Sequence, residues 1–122
     1  MPFTDTVTAE RILVADKDGT IHYVNPAFER ISGYSRDEVI GKSPFDLMPP
    51  EEAARVANEF GATIAQRAPI LGMENTNICK DGTRKVLETS GVPFFDTAGN
   101  FAGYRGIDRD VTNRIVAETN LR

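Results

Sequence analysis

The sequence predicts an α+β domain, a five-stranded antiparallel sheet with helices covering one face. Three observations lead there. Two short apolar runs, Ile12–Ala15 and Ile21–Val24, flank Asp16-Lys17-Asp18-Gly19, and Asp-Gly between such runs is a strong hairpin signal. Three longer strand-like segments close the chain. They are joined by Lys80-Asp81-Gly82-Thr83 and Asp96-Thr97-Ala98-Gly99-Asn100, and turns this short imply antiparallel neighbours. Between the two sets lies a segment dense in helix start and stop signals.

Taken in order, residues 1–10 form a polar, Thr-rich flank, either a frayed tail or a short helix. Ile12–Ala15 reads as a buried strand and Ile21–Val24 returns beside it. Asn25 then stands before Pro26. An Asn side chain accepts an orphan N–H of a helix's first turn, and Pro has no N–H to waste at the first position. Phe28 and Ile31 share one face, and Gly33 suits the left-handed residue that ends a helix. Ser35-Arg36-Asp37-Glu38 is a capping box for a second short helix, which Gly41 stops. Ser43, before Pro44 and with Asp46 close behind, caps a single further turn. Pro49 and Pro50 open a longer helix, roughly Glu51–Arg67, whose Ala53, Val56, Ala57, Phe60 and Ile64 form one apolar stripe. Glu51 and Glu52 in its first turn and Arg67 in its last agree with the helix dipole. The late strands are Ile70–Cys79, Arg84–Phe95 and Phe101–Asp108. Thr112 is the expected cap of a last helix, Asn113–Arg122, with Ile115, Val116 and Leu121 as its apolar positions.

The totals fit one globular domain. The chain has 122 residues, 40% hydrophobic and 26% charged, enough to bury a single core. Its net charge of −4 argues against nucleic acid as a partner, because that binding rests on clustered cations. No apolar run approaches the ~20 residues of a membrane span. The first residues lack the basic start and apolar stretch of a signal peptide, and a single cysteine suits a reducing, cytoplasmic setting.

The stretch NPAFERISGYSRDEVIGK, preceded by ILVADKDGTIHYVN, resembles the PAS sensor-domain family. KDGTRKVLETSGVPFFDTAGNFAGYRGIDRDVT resembles the back half of the same family, with its closing Asp-(Ile/Val)-Thr motif. The resemblance covers roughly Glu10–Thr112, so that 11–112 is the domain proper and 113–122 begins an outgoing helix. It implies the spatial strand order 2-1-5-4-3. It also implies a cytoplasmic, non-enzymatic sensory module that senses a small ligand or mediates dimerisation. Such a module relays the change through its C-terminal helix to an output domain of histidine-kinase or nucleotide-cyclase type. A ligand-free homodimerisation or protein-interaction module is the alternative, and a haem- or FAD-bearing sensor a third reading.

In such a fold, ligands sit between the sheet and the helices. The residues expected to line that space are Phe28, Ile31, Tyr34, Phe45, Met48, Val56, Phe60, Ile64, Met73, Val92, Tyr104 and Ile107, a list that also reads as plain core. Gly91, Gly103 and Gly106 leave gaps on the late strands, where a ligand or another backbone can approach. Alternation sets Gly103, Arg105 and Ile107 on one face and Tyr104 and Gly106 on the other, without saying which faces in. An inward Arg105 suits an anionic ligand; an outward one is a surface charge. Family resemblance makes Asp110 and Thr112 the relay from the last strand to the exit helix. It makes the outer sheet face and the flanks the surfaces of an expected homodimer.

Little else carries chemistry. His22, the only histidine, sits mid-strand, away from the long helix where haem-binding relatives place theirs. One His and one Cys cannot complete a zinc site. Flavin-binding light sensors of the family carry their cysteine in Gly-x-Asn-Cys-Arg-Phe, and here Pro44 stands at that place. Cys79 is expected to be passive. No cofactor, metal or catalytic residue is expected.

Overall fold

The computed structural model describes residues 10–120. The flank 1–9 and the side chains of Val116 and Leu121 lie outside the described residues. The chain runs β1 (Arg11–Asp16), β2 (Ile21–Val24), α1 (Pro26–Ser32), α2 (Arg36–Val39), a 3₁₀ turn (Pro44–Leu47), α3 (Pro50–Ala65), β3 (Ile70–Ile78), β4 (Arg84–Phe95), β5 (Phe101–Asp110) and α4 (Thr112–Asn120). The sheet is antiparallel throughout, in the order β2-β1-β5-β4-β3.

The turn from sheet to helices is fixed by Asn25, which is fully buried. Its Oδ1 accepts the Phe28 N–H at 3.1 Å and the Ile12 N–H at 2.9 Å, while its Nδ2 donates to the Glu10 carbonyl at 3.1 Å. One side chain therefore caps α1 and completes the start of β1. Gly33, at φ 80°, ends α1 in the left-handed region. Ser35 opens α2, its N–H donating to Glu38 Oε1 at 3.0 Å.

α3 ends earlier than the sequence suggests. Its last residue is Ala65, and Gln66 caps it through an N–H donated to the Ala62 carbonyl. Arg67 follows at φ 57°, the one described non-glycine residue with positive φ, so it is not in the last helical turn. Instead of answering the helix dipole, its guanidinium lies 4.8 Å from the Phe101 ring centroid. Ala57 is exposed: the buried side of α3 is narrower than the stripe suggested and centres on Val56. At the other end, β5 runs on to Asp110 and α4 begins at Thr112.

Two apolar clusters lie under the helices. Leu13, Ala15, Ile21, Val24, Phe28, Val39 and Leu47 form one, with Tyr34 packed against it. Val56, Ile70 and Met73 form the other, flanked by Phe45, Met48, Phe60, Ile64 and Tyr104. The strand rungs set the inward rows. Arg11 pairs with Asp108 and Asp108 with Thr89; Leu13 pairs with Gly106 and Gly106 with Gly91; Ala15 pairs with Tyr104. Gly103, at φ 150°, lets β1 approach: a Cβ there would collide with the Ala15 carbonyl oxygen and stand 2.9 Å from the Asp16 Cα.

Candidate functional site

Between the clusters lies a cavity of about 190 Å³. Cavities of roughly 150 Å³ with apolar walls accept benzene. Of the residues expected to line it, Phe45, Met48, Val56, Ile64, Met73 and Tyr104 do so. Leu13, Ala15, Pro44, Ile70, Phe101 and Gly106 extend the apolar wall, and Asp16, Lys17 and Gly19 of the first hairpin, with Ser43, also line the space. Tyr104 is held in place by its hydroxyl, which donates to the Ala68 carbonyl at 2.7 Å and ties β5 to the exit of α3. Burial raises that phenol above its ordinary pKa.

Other expected lining residues lie elsewhere. Val92 and Ile107 are 52% and 44% exposed, because alternation points them and Arg105 to the outer face. This answers the question the sequence left open: Tyr104, Gly106 and Asp108 face inward. Arg105 covers the Phe94 ring at 4.9 Å and offers the cavity no charge. Phe28 sits behind the wall, its ring 4.1 Å from the Arg11 guanidinium. Ile31 borders a small space and an open surface groove beside Cys79 instead, Tyr34 packs on the first cluster, and Phe60 packs on the second without lining the cavity.

Sequence reasoning missed the polar floor. Arg11, Asn75, Asn77, Thr89 and Asp108 all line the cavity. Four of them, all but Thr89, are nearly inaccessible to solvent. Arg11 Nε and Nη2 donate to Asp108 Oδ2 at 2.9 and 2.7 Å, and Nη2 also donates to Asn77 Oδ1 at 3.2 Å. Asn77 Nδ2 donates to Asn75 Oδ1 at 2.9 Å, and Asn75 Nδ2 to Thr89 Oγ1 at 2.8 Å. Thr89 Oγ1 donates to Asp108 Oδ1 at 2.5 Å. The five side chains thus close a ring across β1, β3, β4 and β5, each donation leading toward the Asp108 carboxylate. A signal for it existed: Met73, Asn75 and Asn77 alternate on one face of β3, as Tyr104, Gly106 and Asp108 do on β5.

Two residues beyond Asp108, the strand meets the exit helix. Asp110 Oδ1 accepts the Thr112 hydroxyl at 2.6 Å and the Thr112 N–H at 3.0 Å. The Thr112 oxygen accepts the Val86 N–H at 2.9 Å, and the Val111 N–H donates to the Val86 carbonyl at 2.9 Å. Thr112 is therefore not the cap its position suggested. It is the helix's first residue, its hydroxyl is engaged by β4, and the carboxylate of Asp110 accepts the orphan N–H instead. Burial works to raise the Asp110 pKa, but the Thr112 bonds and the Lys85 ammonium outweigh it and hold the group below its ordinary value.

The remaining candidates are quiet. His22 is exposed on β2, its Nε2 2.7 Å from Asp16 Oδ2, and does not line the cavity, so it does not fit a haem-ligating role. Cys79 is buried, its thiol donating to the Ile31 carbonyl at 3.4 Å, and burial pushes its pKa up, away from the reactive thiolate. Among the described residues, no group of three or more His, Cys, Asp or Glu side chains is placed to hold a metal ion. No helix among them is long and apolar enough to cross a membrane.

Comparison with known proteins agrees with this architecture. A family model described as the PAS fold matches residues 8–116. The nitrogen fixation regulatory protein of Klebsiella pneumoniae is 28% identical over 111 residues, covering 91% of this chain and 22% of that protein. The aerobic respiration control sensor protein ArcB of Escherichia coli is 28% identical over 103 residues, covering 84% of this chain and 13% of that one. The chain thus spans under a quarter of the length of either relative. Among solved structures, the PAS domain of a Colwellia psychrerythraea protein superposes with a TM-score of 0.77 at 27% identity, covering 87% of this chain and 89% of that one.

Proposed function

Because this chain belongs to the PAS family, we propose that it is a sensory module whose cavity takes a small molecule and whose last strand passes occupancy to the helix that follows. The observation that carries the reading is a continuous path. The cavity floor ends on Asp108, and two residues further along β5 the Asp110 carboxylate holds the first residue of α4. A ligand that favours one arrangement of the floor shifts the balance of strand and helix positions by its differential affinity for the two. Residues 11–112 act as the sensor and the helix beyond as the outlet, joined to an output domain of histidine-kinase or nucleotide-cyclase type. The similarity to parts of longer regulators and sensor proteins supports this. In this reading the module works in the cytoplasm, catalyses no reaction itself and needs neither haem nor flavin.

Native mass spectrometry of protein purified from cells tests the sensing claim. A stoichiometric small-molecule adduct supports it; a clean apo mass at every preparation sinks it. A second reading, ligand-free homodimerisation, draws on one observation: Tyr23, Val92 and Ile107 leave apolar surface on the outer sheet face. A concentration-independent dimer with an empty cavity would favour that reading.

A further inference from the structure

A buried arginine on a cavity floor invites an anionic ligand, yet here its charge is already taken. Both Arg11 Nε and Nη2 rest on Asp108 Oδ2, and the ring of Arg11, Asn77, Asn75, Thr89 and Asp108 is neutral as a whole. No described side chain with a buried polar nitrogen or oxygen is left without a hydrogen-bond partner. Lys17 is the lining's other cation, exposed just past the end of β1 opposite Arg11. A ligand carboxylate that enters as far as the floor has two options. It stays unpaired among Leu13, Ile70 and Met73, or it displaces Asp108 and strands that carboxylate instead. Either way one net negative charge is buried without a partner, which proteins avoid. An uncharged molecule meets no such penalty. Its apolar body fits the walls, and one polar atom can bond the edge of the ring, where the Asn77 amide has two N–H groups and the ring uses one.

From this we infer that Asp108 is a specificity-determining residue: by occupying Arg11 it makes the cavity a receptor for uncharged, one-ring-sized molecules and rejects their ionised counterparts. The inference rests on the reading of the cavity as a ligand site. The volume of about 190 Å³ sets the size class, since roughly 150 Å³ already admits benzene.

The test compares ligands of one shape and two charges. The 122-residue chain is titrated at pH 7 with benzamide, benzyl alcohol and benzoate, followed by amide chemical shifts and thermal unfolding. Benzamide or benzyl alcohol is expected to shift the Leu13, Met73 and Gly106 amides and to bind at least ten times more tightly than benzoate. Benzoate binding as tightly as benzamide overturns the specificity claim and leaves the cavity reading standing. No shift with any of the three compounds overturns both. Asp108→Asn removes the competing carboxylate, and the preference for benzamide over benzoate should then fall at least tenfold, or reverse. An unchanged preference in the folded variant refutes the role given to Asp108. Should the variant fail to fold, the wild-type ratio decides alone.

Discussion

Replacing Thr112 by Val keeps the shape of the side chain and removes one oxygen. That oxygen accepts the Val86 N–H at 2.9 Å and donates to Asp110 at 2.6 Å. In the variant the Val86 N–H has no acceptor at the strand edge, and a part-buried donor left unmade costs about 1–3 kcal/mol. Thr112 is only part-buried, so water softens the loss and the lower half of that range applies. A local change of about 1–2 kcal/mol corresponds to roughly 5–30-fold in an opening equilibrium. Native-state hydrogen exchange reads this directly. The Val86 and Ile115 amides should exchange roughly 5–30 times faster, while Ile12 and Phe28, which donate to Asn25 and not to the Thr112 clamp, keep their rates. Unchanged exchange at Val86 would mean that the hydroxyl does not clamp α4 to β4, and the proposed outlet would lose its joint. A uniform rise at all sites would instead mark a global loss of stability.

Three further outcomes are expected. Asn25→Ala removes the acceptor of the Ile12 N–H and the amide that donates to the Glu10 carbonyl, while the Phe28 N–H keeps the backbone carbonyl of residue 25 at 3.0 Å; it should cost about 2–3 kcal/mol rather than the roughly 1 kcal/mol of a simple cap, read as a lower urea midpoint at constant m; a loss near 1 kcal/mol would reduce Asn25 to a cap. Gly103→Ala forces a Cβ against the β1 backbone and should lower Tm by about 10 °C, and a shift within about 2 °C would contradict the close approach. Acid titration should follow the depressed carboxylates. Glu52 lies below its ordinary 4.5, chiefly through its Arg55 bonds and against its partial burial, with help from the Thr76 N–H; Asp110 lies below 3.8. A carboxylate depressed in the fold contributes stability above its unfolded pKa and loses it as pH falls through the folded value. Stability measured by urea titration should therefore hold from pH 7 to about 5 and decline below about 4. Glu52→Gln should flatten that decline, and an identical acid limb in the variant would refute the assignment.

The frame of the domain was written locally. Ile21–Val24 and Arg84–Phe95 have the same limits in the structure as in the sequence reading, because turn residues bound them on both sides. Gly33 and the Ser43 turn likewise sit where their local chemistry puts them. The strand order came from family resemblance, since hydrogen-bonded turns say which strands are joined and not that β1 inserts beside β5. Faces were harder. Val92 and Ile107 looked internal because they are apolar, yet a strand shows both faces and only the rungs decide between them. Apolarity as a criterion passes over Arg11, Asn75, Asn77 and Asp108, but a closed set of partners lets polar groups go inside. That closure joins residues far apart in the chain, so no local window contains it. The start of α4 shows the same limit: Thr112 has the composition of a cap, and only the proximity of Val86 redirects its hydroxyl.

Arg11 and Asp108 are 97 residues apart, and the stretch between them supplies Asn75, Asn77 and Thr89. During synthesis Arg11 therefore emerges long before the carboxylate that pairs with it. The amino-terminal hairpin and its helices share a cluster of their own, but β1 lacks its second neighbour until β5 is made. Completion is held back until the final strand slots between the first strand and the fourth, and sequence separation of this kind slows folding. A chain cut short before position 108 would lack both the carboxylate on which the ring closes and the full strand that joins β1 to β4, and incomplete folds of this kind leave apolar surface exposed.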